Sequence, residues 1–188
     1  MYSIEMIHKD LRGLLSNFRY EHSVRVAEEA RKLANYYHYD AEKAYVAGLV
    51  HDIAKEFDQT ENQKWIEKYH LDKKWLSFDC SNIIHAEVGA LVISEWYGLD
   101  EEICNAVRYH TVGHVPMSLL EKIIFVADKI EPGKKYVGIE LERQMAYQNL
   151  DQALVLCLQN QKKKLESAGK NIYPESKELL KFLLSQVS

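Results

Sequence analysis

Three features of the 188-residue sequence predict an all-α fold. Glycine and proline number only 8 and 3, too few to supply the turns of an all-β domain. Apolar residues recur close to every 3.6 residues almost throughout, the spacing of a helix with one buried face. No segment sustains the two-residue alternation of a half-buried strand. The length suits one domain, long enough to bury roughly two-thirds of its unfolded surface. No repeat, low-complexity tract or linker divides it. A single helical bundle over residues 1–188, packed around an interior site, is therefore expected.

The elements follow in order. Ile4, Ile7, Leu11, Leu14 and Leu15 mark a first helix, and Val26, Ala27, Ala30, Leu33, Ala34 and Tyr37 a second. Asp40 is placed to cap a third, whose stripe is Ala44, Ala47, Val50 and Ala54. Thr60–Gln63 fits a capping box opening a short helix with Trp65, Ile66 and Tyr69. Val88, Leu91, Val92 and Trp96 form the next helix, stopped at Gly98, where glycine adopts a left-handed conformation cheaply. Asp100-Glu101-Glu102 sets acids against the positive end of a helix carrying Ile103, Ala106 and Val107. Pro116 should begin a helix through Leu120, Ile123, Ile124 and Ala127 that ends at Pro132-Gly133. Two helices, around Leu150–Leu165 and Ser176–Leu184, complete the chain.

Composition narrows the function. The chain is 47% hydrophobic and 28% charged, as soluble domains are. Its net charge of −4 gives no electrostatic reason to expect a nucleic-acid polymer or an anionic membrane as partner. The one basic run, Lys162-Lys163-Lys164, reads as a solvated helix face. No apolar run approaches the ~18 residues of a membrane helix, and no signal peptide is expected. Cys80, Cys104 and Cys157 are widely spaced, which suits free buried thiols in a reducing cytoplasm and not a thiolate zinc site. Tyr36, Tyr37 and Tyr39 could form a homodimer face, or equally belong to core and rim.

The eight histidines are unevenly placed. His8, His38, His70 and His114 lie near helix ends or among polar neighbours and are expected at the surface. His22, His51, His85 and His110 fall on buried stripes: His22 four before Val26, His51 four after Ala47, His85 three before Val88, His110 four after Ala106. One inward histidine is usually a hydrogen-bonded core residue. Four in a small domain need a common explanation, and a metal cluster supplies one, since neutral imidazole is the commonest protein metal ligand. His51-Asp52 offers two ligands from adjacent helix faces, and Lys55 returns to the same side one turn on. Asp128 follows the apolar run Ile123–Ala127, where a carboxylate is costly to bury without a cation.

His22, His51-Asp52 and Asp128 together resemble the H…HD…D signature of the HD-domain metal-dependent phosphohydrolases. The segments Arg19–Val24, Gly48–Lys55, His85–Ala90, Arg108–Gly113 and Ala127–Gly133 resemble the YqeK subfamily, the bacterial symmetrical bis(5′-nucleosyl)-tetraphosphatases, and the likeness runs over roughly residues 17–184. The resemblance implies a core over about 17–135, with C-terminal helices 140–188 packing on it and closing a nucleotide site. It implies metal ligation by His22, His51, Asp52 and Asp128, with iron the expected ion and Mn or Co as substitutes. His85 and His110 would be ligands of a second ion or donors to phosphates. Asp52, Lys55, His85 and His110 would be catalytic. Asp52, Ile53, Ala54, Lys55, His85, His110, Thr111, Asp128 and Lys134 would line the phosphates, and Asn171, Ile172, Tyr173 and Pro174 would close over the nucleoside. Two positions depart from the subfamily pattern: Val112 replaces a threonine and Lys134 an arginine. Lysine lacks the bidentate grip of arginine, so substrate affinity is the property they affect.

The implied reaction is cleavage of diadenosine tetraphosphate to two ADP, with water activated by metal attacking an inner phosphate. Lys55 and Lys134 would stabilise charge in the transition state. Rival readings are another HD-domain nucleotide phosphohydrolase or phosphodiesterase, and a nucleotide-binding module without catalysis.

Overall fold

The computed structural model describes residues 3–72 and 83–186. Within them lie ten helices and no strand: α1 (Ile4–Leu14), α2 (Asn17–Tyr36), α3 (Ala41–Val50), α4 (Gln59–Lys68), α5 (Ile84–Tyr97), α6 (Glu101–Tyr109), α7 (Leu119–Ile130), α8 (Ile139–Ala146), α9 (Leu150–Ser167) and α10 (Pro174–Gln186). Cys80, expected as a buried thiol, lies outside the described residues. Cys104 and Cys157 are buried and free. No described helix is long and apolar enough to cross a membrane.

The centre is the packing of α2 on α3, with α7 against both and α6 against α3 and α7. The facing residues of α2 and α3 are small: Ala27, Ala30, Ala34, Ala44 and Ala47 are all fully buried. Gly48 carries the approach furthest, since a Cβ there would lie 2.8 Å from the Cα of Ala27. Leu120, Ile123, Ile124 and Phe125 of α7 fill the space behind, all 0% exposed. Burial of such side chains contributes about 1.5–3 kcal/mol each. Helix α5 packs on α6 with α4 outside it, while α9 packs on α7 and carries α8 and α10.

Several element ends are set by residues the sequence singles out. The carboxylate of Asp40 accepts from the Lys43 N–H, and that of Asp100 from Ile103. Gly98 ends α5 at φ 63°. Others differ. The capping box of α4 is Asp58 with Glu61, not Thr60–Gln63; Asp58 accepts the Glu61 N–H at 2.8 Å, leaving Thr60 inside the first turn. Helix α7 begins after Ser118, whose hydroxyl forms a capping box with Glu121, so Pro116 precedes the helix and does not start it. Pro174 is itself the first residue of α10. Helix α8 was not expected: its N-cap is Gly138, at φ 97° and without a side-chain cap.

His38 and His70 are exposed, as expected. His8 and His114 are not free surface residues. His8 sits between the hydroxyls of Tyr20 and Tyr45, 3.1 Å from each, and His114 pairs with Glu121 at 3.0 Å. The tyrosines weighed as a dimer face divide. Tyr37 donates to the Ala146 carbonyl and Tyr39 to Glu102, both inside the chain, whereas Tyr36 is 52% exposed. Lys162, Lys163 and Lys164 are exposed.

Candidate metal and phosphate site

Five helix segments deliver the polar interior. His22 comes from α2, His85 from the start of α5 and Asp128 from the last turn of α7. Helix α3 stops at Val50, and residues 51–56 continue as tighter turns in which Ile53 N–H bonds to Val50 and Lys55 N–H to Asp52. His51 and Asp52 therefore stand at a helix end and not mid-helix. His110 occupies the equivalent place after α6.

That placement fixes two imidazoles. The last turn of a helix leaves carbonyls without intrahelical partners. His51 Nδ1 donates to the Gly48 carbonyl at 2.7 Å, and His110 Nδ1 to the Val107 carbonyl at 2.6 Å. A carbonyl only accepts, so each Nδ1 carries the proton and each Nε2 presents a lone pair. His22 is oriented in the same sense by a carboxylate, with Nδ1 3.1 Å from Glu131 Oε1. All four inward histidines are buried, from 0% exposed at His51 to 3% at His22 and His85.

These nitrogens face two carboxylates. His22 Nε2 lies 3.1 Å from Asp128 Oδ1 and 3.9 Å from Asp52 Oδ2. His51 Nε2 lies 3.6 Å from Asp52 Oδ2 and 3.8 Å from Asp128 Oδ1. The other oxygen of Asp52 faces His85 Nε2 at 3.2 Å and His110 Nε2 at 3.6 Å. Two sets, His22–His51–Asp128 and His51–Asp52–His110, each bring their ligand atoms within 4.8 Å of one another. His51 belongs to both, and its Nε2 is buried without a hydrogen-bond partner. A lone pair held among carboxylate oxygens is unfavourable until a cation sits between them. The donor set therefore fits a divalent metal: imidazole nitrogens with carboxylate oxygens suit zinc, iron, manganese and cobalt.

The titration behaviour of the cluster has the same origin. Burial lowers His51 to about 3 and His85 to about 4, so both stay neutral. Burial would lower His22 as well, but its hydrogen bonds to Asp128 and Glu131 outweigh this and raise it. For Asp52, burial opposes ionisation, but the charges and hydrogen bonds around it outweigh this and hold the carboxyl well below the usual range. Asp128 is held low against burial by Lys129 and His22.

Around the acids stands a cationic rim. Lys129 Nζ donates to Asp128 at 2.7 Å, Arg19 Nη1 to Asp52 at 3.4 Å, and Lys134 and Lys55 lie 3.7 and 3.8 Å from Asp128 and Asp52. Lys55 also reaches His85 Nε2 at 3.0 Å. Of the expected phosphate-lining residues, Ile53 and Ala54 are buried at 0% and 1% and pack behind the site towards Gly89 of α5. Thr111 has a buried hydroxyl without a partner, and its carbonyl accepts from Gln161 of α9 at 3.1 Å. Beside it, the Val112 carbonyl accepts from Ser176 of α10 at 2.8 Å, two residues beyond Asn171–Pro174. That segment is partly open: Asn171 and Pro174 are exposed, Ile172 and Tyr173 half-buried.

Glu131, Arg25, Arg19 and Lys129 touch this machinery without being singled out by the sequence reading. Arg19 and Arg25 lie three residues either side of His22 on α2, a spacing that could have flagged them.

Comparison with known proteins agrees with the geometry. Residues 19–133 match the family model of the HD domain. The chain is 37% identical to a symmetrical bis(5′-nucleosyl)-tetraphosphatase of Staphylococcus aureus, over 98% of this chain and 87% of that protein. It is 38% identical to the protein of the same description in Halalkalibacterium halodurans, over 86% of this chain and 87% of the other. A solved structure from Clostridium acetobutylicum, described as an HD superfamily hydrolase involved in NAD metabolism, superposes with a TM-score of 0.92 at 34% identity, covering 99% of each chain. With a His/Asp cluster that could hold a metal set on this helical frame, the chain belongs to the HD-domain family, in the group that contains these symmetrical bis(5′-nucleosyl)-tetraphosphatases.

Proposed function

We propose that the protein hydrolyses diadenosine tetraphosphate symmetrically, releasing two ADP. The observation that carries the reading is the pairing of a buried His/Asp cluster, fitted to a cation, with four cationic side chains around its acids. The cluster suits phosphoanhydride hydrolysis, the rim suits a polyphosphate, and relatives across most of the chain carry the corresponding description.

In this reading His22, His51, Asp52 and Asp128 hold the metal, iron by preference, with Mn or Co as substitutes. When bound, it supplies Lewis acidity, polarising phosphoryl oxygens and lowering the pKa of water. The chain's own residues do the rest. Asp52 presents one oxygen to His22 and His51 and the other to His85 and His110, so it is placed to bridge two ions. His110, braced by the Val107 carbonyl, would be the ligand for a second ion. Among the described residues no carbonyl braces His85, which contacts Lys55 and acts as a phosphate donor. Lys55 holds the transferring phosphate and stabilises charge in the transition state, while Lys134 holds a distal phosphate. Thr111 turns its unpartnered hydroxyl to the same phosphates. Helices α8–α10 close the nucleotide site over the core, with Asn171–Pro174 beside the nucleoside and the Ser176 bond fastening the closure.

A substrate panel tests the proposal. Protein loaded with Fe, Mn or Co should convert diadenosine tetraphosphate to ADP and act far more slowly on nucleoside monophosphates and cyclic phosphodiesters. Turnover of a cyclic or monoester substrate without turnover of the dinucleotide would assign the site to another HD-domain reaction.

A further inference from the structure

We propose that Glu131 is a positioning residue that aims the metal-facing nitrogen of His22 and, through the same carboxylate, holds the turn that carries Lys134. Glu131 is the C-cap of α7 and 2% exposed. Oε1 accepts from His22 Nδ1 at 3.1 Å, while Oε2 accepts from Arg25 Nε at 2.6 Å and the Gly133 N–H at 2.5 Å. One buried carboxylate thus joins a candidate ligand on α2 to the turn after α7. The turn is closed further by the Lys134 N–H bonding to the Glu131 carbonyl at 3.0 Å. Arg143 fastens it from α8, donating to the carbonyls of Ile130, Glu131 and Lys134 at 2.9, 2.9 and 3.1 Å. Arg25 packs directly on this turn, since a Cβ at Gly133 would lie 2.6 Å from Arg25 Nε. Lys134 leaves this turn with its ammonium 3.7 Å from Asp128.

The contrast with the other braced imidazoles gives the inference its content. His51 and His110 donate to neutral backbone carbonyls, but His22 donates to an ion. A carboxylate behind an imidazole fixes the tautomer and raises the basicity of the opposite nitrogen, and loss of such a partner typically costs roughly 10–100-fold in metal affinity. An ion pair with Arg25 alone would not need the carboxylate buried against His22.

The inference rests on the metal reading above, and its test separates the two. Metal-free protein is titrated with Co(II), following the visible d–d band and the dissociation constant, for wild type, Glu131→Gln and Glu131→Ala. The expected result is weaker binding by roughly 10–100-fold in both variants, with an altered band and wild-type helical circular dichroism. A purely structural Glu131 would lower the melting temperature and leave the Co(II) constant and band unchanged in the folded variants; that outcome overturns the inference. If wild type binds no Co(II), the metal reading fails and takes this inference with it. Should neither variant fold, nitrogen-15 NMR of the Zn(II)-loaded wild type decides: His22 must carry its proton on Nδ1 with slow exchange, and a proton on Nε2 overturns the assignment.

Discussion

His51 shows how little freedom the central residue has. It is fully buried, one nitrogen is committed to Gly48, and the other faces two acids with no partner. Asp52 beside it divides its oxygens between the two groups of imidazoles. Asp52→Asn keeps the shape and removes the charge that faces all four, so kcat should fall by several orders of magnitude while the helical fold persists. Lys134 contrasts with it. Its side chain is 36% exposed and reaches Asp128 only from outside. Lys134→Ala should act chiefly on KM, roughly ten- to hundred-fold, the range of a lost hydrogen bond to a charged group. A KM unchanged with kcat destroyed would move Lys134 from binding to chemistry. At this scale the sequence discloses the inward histidines, because each shares a helical stripe with apolar neighbours. It does not disclose Glu131, which stands in Ile-Glu-Pro-Gly like a surface residue and acquires its partners only when α7 meets α2.

Helices bring the ligands together through small residues and ends. Rings of His22 and His51 stand 5.2 Å apart because alanines and Gly48 let α2 and α3 approach. Gly48→Ala places a methyl carbon against the Ala27 backbone, and backbone cannot swing aside as a side chain does. The helices must separate, at about 1–3 kcal/mol, the usual cost of overpacking; denaturant unfolding measures it, and an unchanged midpoint would show that the contact is slack. Element legibility followed local chemistry. Asp40, Gly98 and Asp100 act as caps within three residues of themselves, so their roles are readable. Helix α8 is short, lacks a side-chain cap, and gains order from tertiary contacts: Glu142 is 1% exposed and takes hydrogen bonds from Tyr136 and Asn160. Nothing local announces those partners.

Across the whole molecule, a chain of net charge −4 gathers Arg19, Lys55, Lys129 and Lys134 at one interior cluster. Total charge gives no reason to expect a broad nucleic-acid groove, yet it could not reveal this local reversal, which depends on separate segments meeting. The site is also a junction of the fold, so its cation should stabilise the folded state. A ligand held at 100 times its dissociation constant adds about 2.7 kcal/mol. Chelation should lower the melting temperature and abolish activity together, and Mn or Co should restore both. A melting temperature indifferent to chelator would dissociate the cluster from metal binding. The central claim, a symmetrical cut at this cluster, is tested most directly by hydrolysis of diadenosine tetraphosphate in oxygen-18 water with products resolved by mass. The account predicts ADP alone, half of it carrying one heavy oxygen; AMP and ATP as the products would contradict it.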